Sequence, residues 1–186
     1  QQLKNTKVAP DIVFQLKPMS LKKIPNSVGI SVIDLSFRDS LKHQAHNYVD
    51  FLLNLTTNLL NMGKSVYLYS FCKSEGDEKT VACITDRIKD ENLHAVCYNG
   101  DIDGFLSVYG AMEAMFSSRF HSMIISLVYG QKMMPIIYSK KQTQVLDDIH
   151  FDGDLIELSE VDKVNVEEKI ASLYKCDYVL PDEIRD

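Results

Sequence analysis

The apolar residues of the chain fall into short β-branched runs that alternate with longer segments of helical spacing. The run from Val28 to Ile33 is continuous, as expected of a strand that is buried on both faces of a parallel sheet. Between Ser40 and Met62 the valine and leucines recur with helical spacing, and Gly63 stands where a helix commonly ends. These two segments predict a strand followed by a helix.

The same alternation continues towards the end of the chain. Further strands are predicted at residues 65–71, 94–98, 115–117, 132–138 and 155–158. Helices are predicted from residue 76, and at residues 104–113, 119–129, 142–149 and 166–174. Strands and helices that alternate in this way form right-handed crossovers and a parallel sheet with helices on both faces. The predicted fold class is therefore α/β, a doubly wound parallel sheet of the Rossmann-like type.

The ends of the chain differ from this central part. Residues 1–26 are polar, contain three prolines and include one short apolar run, so we predict a connecting segment. Residues 27–160 are expected to form one ligand-binding domain, and residues 161–186 a C-terminal helix and tail. The chain begins at Gln1 rather than Met and has no signal-peptide pattern. We therefore expect it to be part of a longer protein.

Composition and charge narrow the possible partners. The chain is 45% hydrophobic and 25% charged, which is typical of a globular domain, and it has no apolar run of transmembrane length. Its net charge of −6 and scattered basic residues argue against a nucleic-acid surface. A small anion remains possible, because one or two cations at a helix N-terminus suffice to bind it. The four cysteines form no CxxC pair and no metal-ligand pattern is present, so neither a disulfide framework nor a metal site is predicted.

The strongest candidate for chemistry is the hexapeptide Ser117–Ser122, where a short predicted strand becomes a helix. In such sheets ligands bind at the carboxyl ends of the strands, near helix N-termini. Arg119 supplies a fixed cation for a phosphate or carboxylate, and the imidazole of His121 is a group suited to giving or taking a proton beside that anion. The alternative is that Ser118 caps the helix, Arg119 is solvated and His121 is a satisfied core histidine.

Three other segments follow predicted strands and reach the same edge of the sheet. Asp77 and Glu78 open the second helix, although acidic residues are favoured in a first helical turn whatever the function. Arg38 follows the first strand and is suited to binding an anion, or else lies solvated in a loop. Tyr138 and Lys141 follow the strand after the Arg119 helix, where the lysine either adds positive charge to the site or faces water.

The order of these features resembles that of the polysaccharide pyruvyl transferases. The resemblance extends from Ala9 to about Ile149. It rests on an Arg-x-His-Ser motif followed by a glycine and a Tyr-x-x-Lys motif, preceded by an Asp-x-Val-Phe segment, a Gly-Ile-Ser-Val strand, a tyrosine-containing helix and a Gly-Asp-Glu turn. In this chain these pieces are Arg119–Ser122, Gly130, Tyr138–Lys141, Asp11–Phe14, Gly29–Val32, the helix with Tyr48, and Gly76–Glu78.

The resemblance implies a two-domain enzyme similar to the B-type glycosyltransferases, of which this chain is the C-terminal half. It implies that this half binds phosphoenolpyruvate as the pyruvyl donor, and that the absent N-terminal domain binds most of the acceptor, a sugar or lipid-linked saccharide of a cell-surface polysaccharide. No cofactor is expected beyond the donor itself. The implied location is cytoplasmic, including the inner face of the membrane.

The resemblance also implies roles for single residues. Arg119 would pair with the phosphate or carboxylate of the donor, and His121 would act as the acid–base group. We also expect substrate contacts from Ser118, Ser122, Arg38, Asp77, Glu78, Tyr138 and Lys141. The loop after the first strand departs from the family pattern, so Arg38 is the weakest of these transfers. Without its N-terminal domain the chain is expected to have little or no transfer activity.

Two other functions fit the same features. A B-type glycosyltransferase would bind a nucleotide sugar in this half and would need an acidic residue for the ribose, for which Asp147 and Asp148 are the candidates. A catalytically degenerate module would bind a polysaccharide precursor or a partner without turnover. The intact pair of Arg119 and His121 favours an enzyme over such a module.

Overall fold

A computed structural model describes residues 10–185, apart from the side chain of Phe37. In this part of the chain six parallel strands form one sheet in the order β3-β2-β1-β4-β5-β6. The strands are β1 (Ser27–Ser31), β2 (Ser65–Ser70), β3 (Leu93–Cys97), β4 (Ala114–Ser117), β5 (Lys132–Ile137) and β6 (Ile156–Glu157). The helices are α1 (Ala45–Asn61), α2 (Asp77–Arg87), α3 (Ile102–Gly110), α4 (Phe120–Val128), α5 (Lys140–Asp148) and α6 (Val166–Lys175). The predicted α/β, doubly wound parallel fold is confirmed.

Neighbouring residues of a strand contribute to two hydrophobic cores on opposite faces of the sheet, because side chains alternate between the faces of a strand. Leu68 and Phe116 point into a core beneath α1, α2 and α6. Tyr69 and Met115, one position away, point into a core beneath α3 and α4. All five residues of β1 are buried. The continuous apolar run at this strand is explained by cover on both faces.

The first strand ends earlier than its apolar pattern predicts. Its pairing with β2 and β4 stops at Ser31, whereas the apolar run continues to Ile33. Ile33 is nevertheless fully buried. Its backbone N–H donates to the Tyr48 hydroxyl at 3.3 Å, and its carbonyl accepts from the Thr80 hydroxyl at 3.2 Å. Side chains of α1 and α2 thus replace the ladder at the carboxyl end of β1.

The described part of the predicted connecting segment packs on the domain. Phe14 lies in a short 3-10 helix (Ile12–Gln15) and is buried among residues of α4 and α5. Lys23 donates to the carbonyl of Gly110 at 2.9 Å and to that of Met112 at 3.1 Å. Residues 1–9 and 186 of the predicted terminal segments lie outside the described residues.

The sheet reverses its direction of winding between β1 and β4. From β1 the chain proceeds outward to β2 and β3, and from β4 it proceeds the opposite way to β5 and β6. A crevice at the carboxyl ends of the strands is expected at such a switch point. The turn that contains Arg119 leaves β4 at this position.

Candidate functional site

The turn between β4 and α4 is fixed to the neighbouring strand by a serine. The hydroxyl of Ser31 accepts from the backbone N–H of Ser118 at 3.0 Å and from that of Arg119 at 3.3 Å. The Ser118 hydroxyl lies 2.7 Å from the Tyr48 hydroxyl and is fully buried. The alternative in which Ser118 caps α4 is therefore wrong, because the Ser118 side chain is directed towards α1.

Arg119 is held by two carboxylates. Its Nε donates to Oδ2 of Asp77 at 3.0 Å, and its Nη2 donates to the other oxygen of the same carboxylate. Its Nη1 donates to Oε2 of Glu75 at 2.6 Å. Burial lowers the pKa of the Arg119 guanidinium, but the hydrogen bonds from both carboxylates outweigh burial and raise that pKa above its usual value. A solvated Arg119 is thus the wrong alternative, because its side chain is only 12% exposed.

Asp77 anchors this pair to the backbone. Its Oδ2 also accepts from the N–H groups of Phe71 at 3.2 Å and Cys72 at 3.0 Å. Asp77 is fully buried and stands at the first position of α2, where the helix dipole favours negative charge. Its carboxylate is therefore occupied by protein groups, and it orients Arg119 rather than facing a ligand.

A second arginine completes the group. Nη2 of Arg38 donates to Oε2 of Glu75 at 3.1 Å, and its guanidinium carbon lies 5.0 Å from the centre of the Tyr138 ring. The pKa of Glu75 is lowered, chiefly by its hydrogen bond from Arg119. We call Arg38, Glu75, Asp77 and Arg119 the arginine–carboxylate cluster. It joins the loops after β1, β2 and β4 at one edge of the sheet.

His121 lines an apolar groove. The imidazole is exposed and packs against the Phe120 ring, with 5.3 Å between the two ring centroids. The groove has a volume of about 590 Å³. Its walls include Ile12, Leu16, Phe71, Tyr98, Ile102 and Phe105. The alternative of a core histidine is wrong, because the ring lies on the surface and is available to a ligand.

Ser122 points into the protein interior. The Tyr109 hydroxyl donates to the Ser122 carbonyl at 2.8 Å and lies 2.8 Å from its Oγ and 2.7 Å from that of Ser126. Burial raises the pKa of Tyr109 to about 12. Ser118 and Ser122, both predicted to touch substrate, are thus fully buried and bonded to protein groups.

Two other predicted contacts lie outside the cluster. Lys141 stands 3.6 Å from the centre of the Phe120 ring, and its Nζ is 3.7 Å from Oδ2 of Asp11. Glu78 is half-buried, 3.7 Å from Nζ of Lys73, and lines a second groove near Phe71. The structure therefore brings Arg38, Asp77 and Tyr138 together with Arg119, but not Lys141 or Glu78.

Two residues of the site were not singled out from the sequence. Glu75 contacts both arginines, and the signal for it was its place in the same loop as Asp77. Gln142 joins two turns: its Nε2 donates to the Ser118 carbonyl at 3.1 Å, and its Oε1 accepts from the Tyr138 N–H at 3.0 Å. Gln142 is fully buried, so it holds the Arg-x-His and Tyr-x-x-Lys segments in register.

The acidic residues considered for the ribose of a nucleotide sugar lie away from the cluster, and the described residues contain no group of metal ligands. Asp147 and Asp148 end α5, and a helix that connects parallel strands ends at their amino edge, opposite the cluster. In residues 10–185 no three His, Cys, Asp or Glu side chains are grouped as metal ligands, and all four cysteines are free. No helix in the same range has the length and apolar character needed to cross a membrane.

Comparison with known proteins connects this site to a family. No curated protein sequence matches the chain. Among solved structures, the chain is similar to the pneumococcal O-GlcNAc transferase GtfA in complex with UDP and GlcNAc, with 13% identity and a TM-score of 0.48. That match covers 91% of this chain and 32% of GtfA, so the chain spans about a third of the length of that transferase. The family model for polysaccharide pyruvyl transferase matches residues 2–140, which include the whole arginine–carboxylate cluster and His121. The chain belongs to the polysaccharide pyruvyl transferase family.

Proposed function

We propose that this chain is the donor-binding part of a pyruvyl transferase that uses phosphoenolpyruvate to modify a sugar of a cell-surface polysaccharide or its precursor. One observation carries the proposal. Two arginines from different loops converge on a single carboxylate at the carboxyl edge of the sheet, within a family-matched segment that also exposes His121. Phosphoenolpyruvate bears a carboxylate and a phosphate, and both match the forked donors of a guanidinium.

Pyruvyl transfer from phosphoenolpyruvate requires protonation of its methylene carbon and loss of its phosphate. The methylene carbon of the donor takes a proton from the general acid. One acceptor hydroxyl adds to the neighbouring carbon, which becomes tetrahedral, and the proton of this hydroxyl passes to the same group, now acting as a base. A second hydroxyl then displaces the phosphate and closes the ketal, and its proton leaves on the departing phosphate. Donor and diol thus give the pyruvate ketal and inorganic phosphate. The displacement step builds negative charge on the departing phosphate, where fixed cations lower the barrier.

Arg119 and His121 have separate roles in this reaction. His121 supplies the proton to the methylene carbon and later takes one from an acceptor hydroxyl, because its imidazole is exposed and an imidazole can both donate and accept a proton. Arg119 and Arg38 neutralise the anionic groups of the donor. Asp77, which is fully buried, holds the Arg119 guanidinium in place for this purpose. The acceptor is bound mainly by an N-terminal domain.

Calorimetric titration tests the choice of donor. The 186-residue chain is titrated separately with phosphoenolpyruvate and with UDP-linked sugars, and the titrations are repeated with His121→Ala and Arg38→Ala. We expect phosphoenolpyruvate to bind, Arg38→Ala to weaken it at least ~10-fold, as for loss of a charged hydrogen bond, and His121→Ala to change it less. Tight binding of a nucleotide sugar without a response to phosphoenolpyruvate would favour a glycosyltransferase and contradict the proposal.

A further inference from the structure

Glu75 occupies the position between the two guanidinium groups. Its Oε2 accepts from Nη1 of Arg119 at 2.6 Å and from Nη2 of Arg38 at 3.1 Å. A single carboxylate oxygen thus bridges two cations that come from separate loops. Bridging of this kind is also the arrangement expected of one oxygen-rich anion bound by both arginines.

The second carboxylate of the cluster is held quite differently. Asp77 is fully buried and takes the Nε and Nη2 groups of Arg119, with two backbone N–H groups as further donors. Glu75 is 48% exposed and closes a short 3-10 helix (Lys73–Glu75). Its carboxylate is bonded to the two arginines. Asp77 is therefore a fixed support, whereas rotation of the exposed Glu75 side chain alone would take its carboxylate out of the cluster.

We propose that Glu75 is an internal substitute for the donor anion, which it keeps out of the two-arginine site until the donor displaces it. The identity of that anion, the phosphate or carboxylate of phosphoenolpyruvate, rests on the proposed function. The exclusion itself rests on the two contacts of Glu75. Donor binding then requires the carboxylate to turn towards solvent, which frees Nη1 of Arg119 and Nη2 of Arg38.

The charges of the cluster support this exchange. Two guanidinium groups face two carboxylates, so the cluster is neutral while Glu75 is in place. Withdrawal of Glu75 leaves one positive charge in excess, and a dianionic phosphate is attracted only then. Asp77 remains on the opposite edge of Arg119, so the guanidinium keeps its orientation throughout the exchange.

A different role for Glu75 makes the opposite prediction. If Glu75 only ties Arg38 and Arg119 together for binding, removal of its charge loosens the arginines and weakens anion binding. If Glu75 competes with the donor, removal of its charge strengthens anion binding. The sign of the change in affinity therefore separates a competitor from a tether.

The experiment measures anion affinity in charge-neutral variants. Phosphoenolpyruvate and inorganic phosphate are titrated into the 186-residue chain and into Glu75→Gln and Glu75→Ala. Glu91→Gln is the matched control, because Glu91 is exposed, follows the far end of α2 and undergoes the same change of charge. We expect both Glu75 variants to bind both anions about 3- to 10-fold more tightly, and Glu91→Gln to bind as the parent chain does.

Each other outcome has a definite meaning. Equal or weaker binding of both anions by the Glu75 variants overturns the competitor role, while binding of phosphoenolpyruvate by the parent chain still supports the proposed donor. Tighter binding of phosphate together with no binding of phosphoenolpyruvate retains the competitor role and overturns the donor assignment. Absence of binding in every variant overturns both.

Discussion

Arg119 and His121 stand two residues apart at the start of α4, yet their surroundings differ. Arg119 is 12% exposed and bonded to two carboxylates, one of them fully buried. His121 is exposed and borders an apolar groove. The difference indicates that Arg119 contributes to the stability of the fold as well as to any ligand site. The stability of the fold does not depend on the side chain of His121. Substitutions on the two sides should therefore separate stability from binding.

The largest effect is expected from Asp77→Ala. The substitution removes the partner of a mostly buried guanidinium and leaves the N–H groups of Phe71 and Cys72 without their acceptor. We expect the free energy of unfolding to fall by about 3 kcal/mol or more, measured by urea denaturation. Asp86→Ala is the control, because Asp86 is 80% exposed on the same helix. A loss below ~1 kcal/mol for Asp77→Ala would mean that the cluster does not support the fold.

Tyr109→Phe tests the interior side of α4. The Tyr109 hydroxyl bonds to the carbonyl and hydroxyl of Ser122 and to the Ser126 hydroxyl, all within the buried core. Its loss leaves these groups with fewer partners, so we expect the free energy of unfolding to fall by about 1–2 kcal/mol. Phosphoenolpyruvate affinity should be unchanged, as measured by calorimetry. A large loss of affinity with no loss of stability would place Ser122 at the ligand surface instead.

The contribution of Glu75 should depend on pH. Its pKa is lowered in the folded chain, first by the hydrogen bond from Arg119 and against the effect of burial. A carboxylate with a lowered pKa stabilises the fold above its unfolded pKa, and this contribution is lost as the pH falls through the folded value. Because Glu75 is 48% exposed, its contribution is expected to be small. At neutral pH the free energy of unfolding of the parent chain should exceed that of Glu75→Gln by less than ~1 kcal/mol. Urea denaturation should show this difference fading below pH ~4, and a difference that grows on acidification would contradict the assignment.

The smallest effect on stability is expected from His121→Ala. The ring is exposed and within the described residues contributes little beyond its contacts with Phe120 and the groove. We expect the free energy of unfolding to change by less than ~0.5 kcal/mol, measured in urea. If the variant were as unstable as Asp77→Ala, the contrast between the two sides of the motif would not hold.

The fold could be predicted from the sequence because its signals are local. The alternation of β-branched runs and helical spacing gives the parallel sheet, and Gly63 and the Ser117–Ser122 turn mark element ends within a few residues. The positions of Arg119 and Arg38 at the carboxyl edge followed from that order alone. Their contact through Glu75 did not, because it depends on the neighbouring places of β1, β2 and β4 in the sheet.

Side-chain direction at the start of α4 was also beyond the sequence. Ser118, Arg119, His121 and Ser122 were expected to face one ligand, but both serines are buried, Arg119 is bonded to Asp77, and His121 lines an apolar groove. Successive residues of a helix turn by about 100°, so neighbours in a motif rarely share one surface. The direction of each side chain is set by long-range partners such as Tyr48, Asp77 and Tyr109.

Nuclear magnetic resonance of the side chains during titration tests whether Arg38, Arg119 and His121 form one binding site for phosphoenolpyruvate. The Nε–H signals of Arg38 and Arg119 and the ring signals of His121 are followed while phosphoenolpyruvate is added to the 186-residue chain. We expect the signals of all three residues to shift and to saturate with one dissociation constant. Saturation of phosphoenolpyruvate binding with the signals of both arginines and His121 unchanged, or shifts caused by a UDP-linked sugar instead, would contradict it.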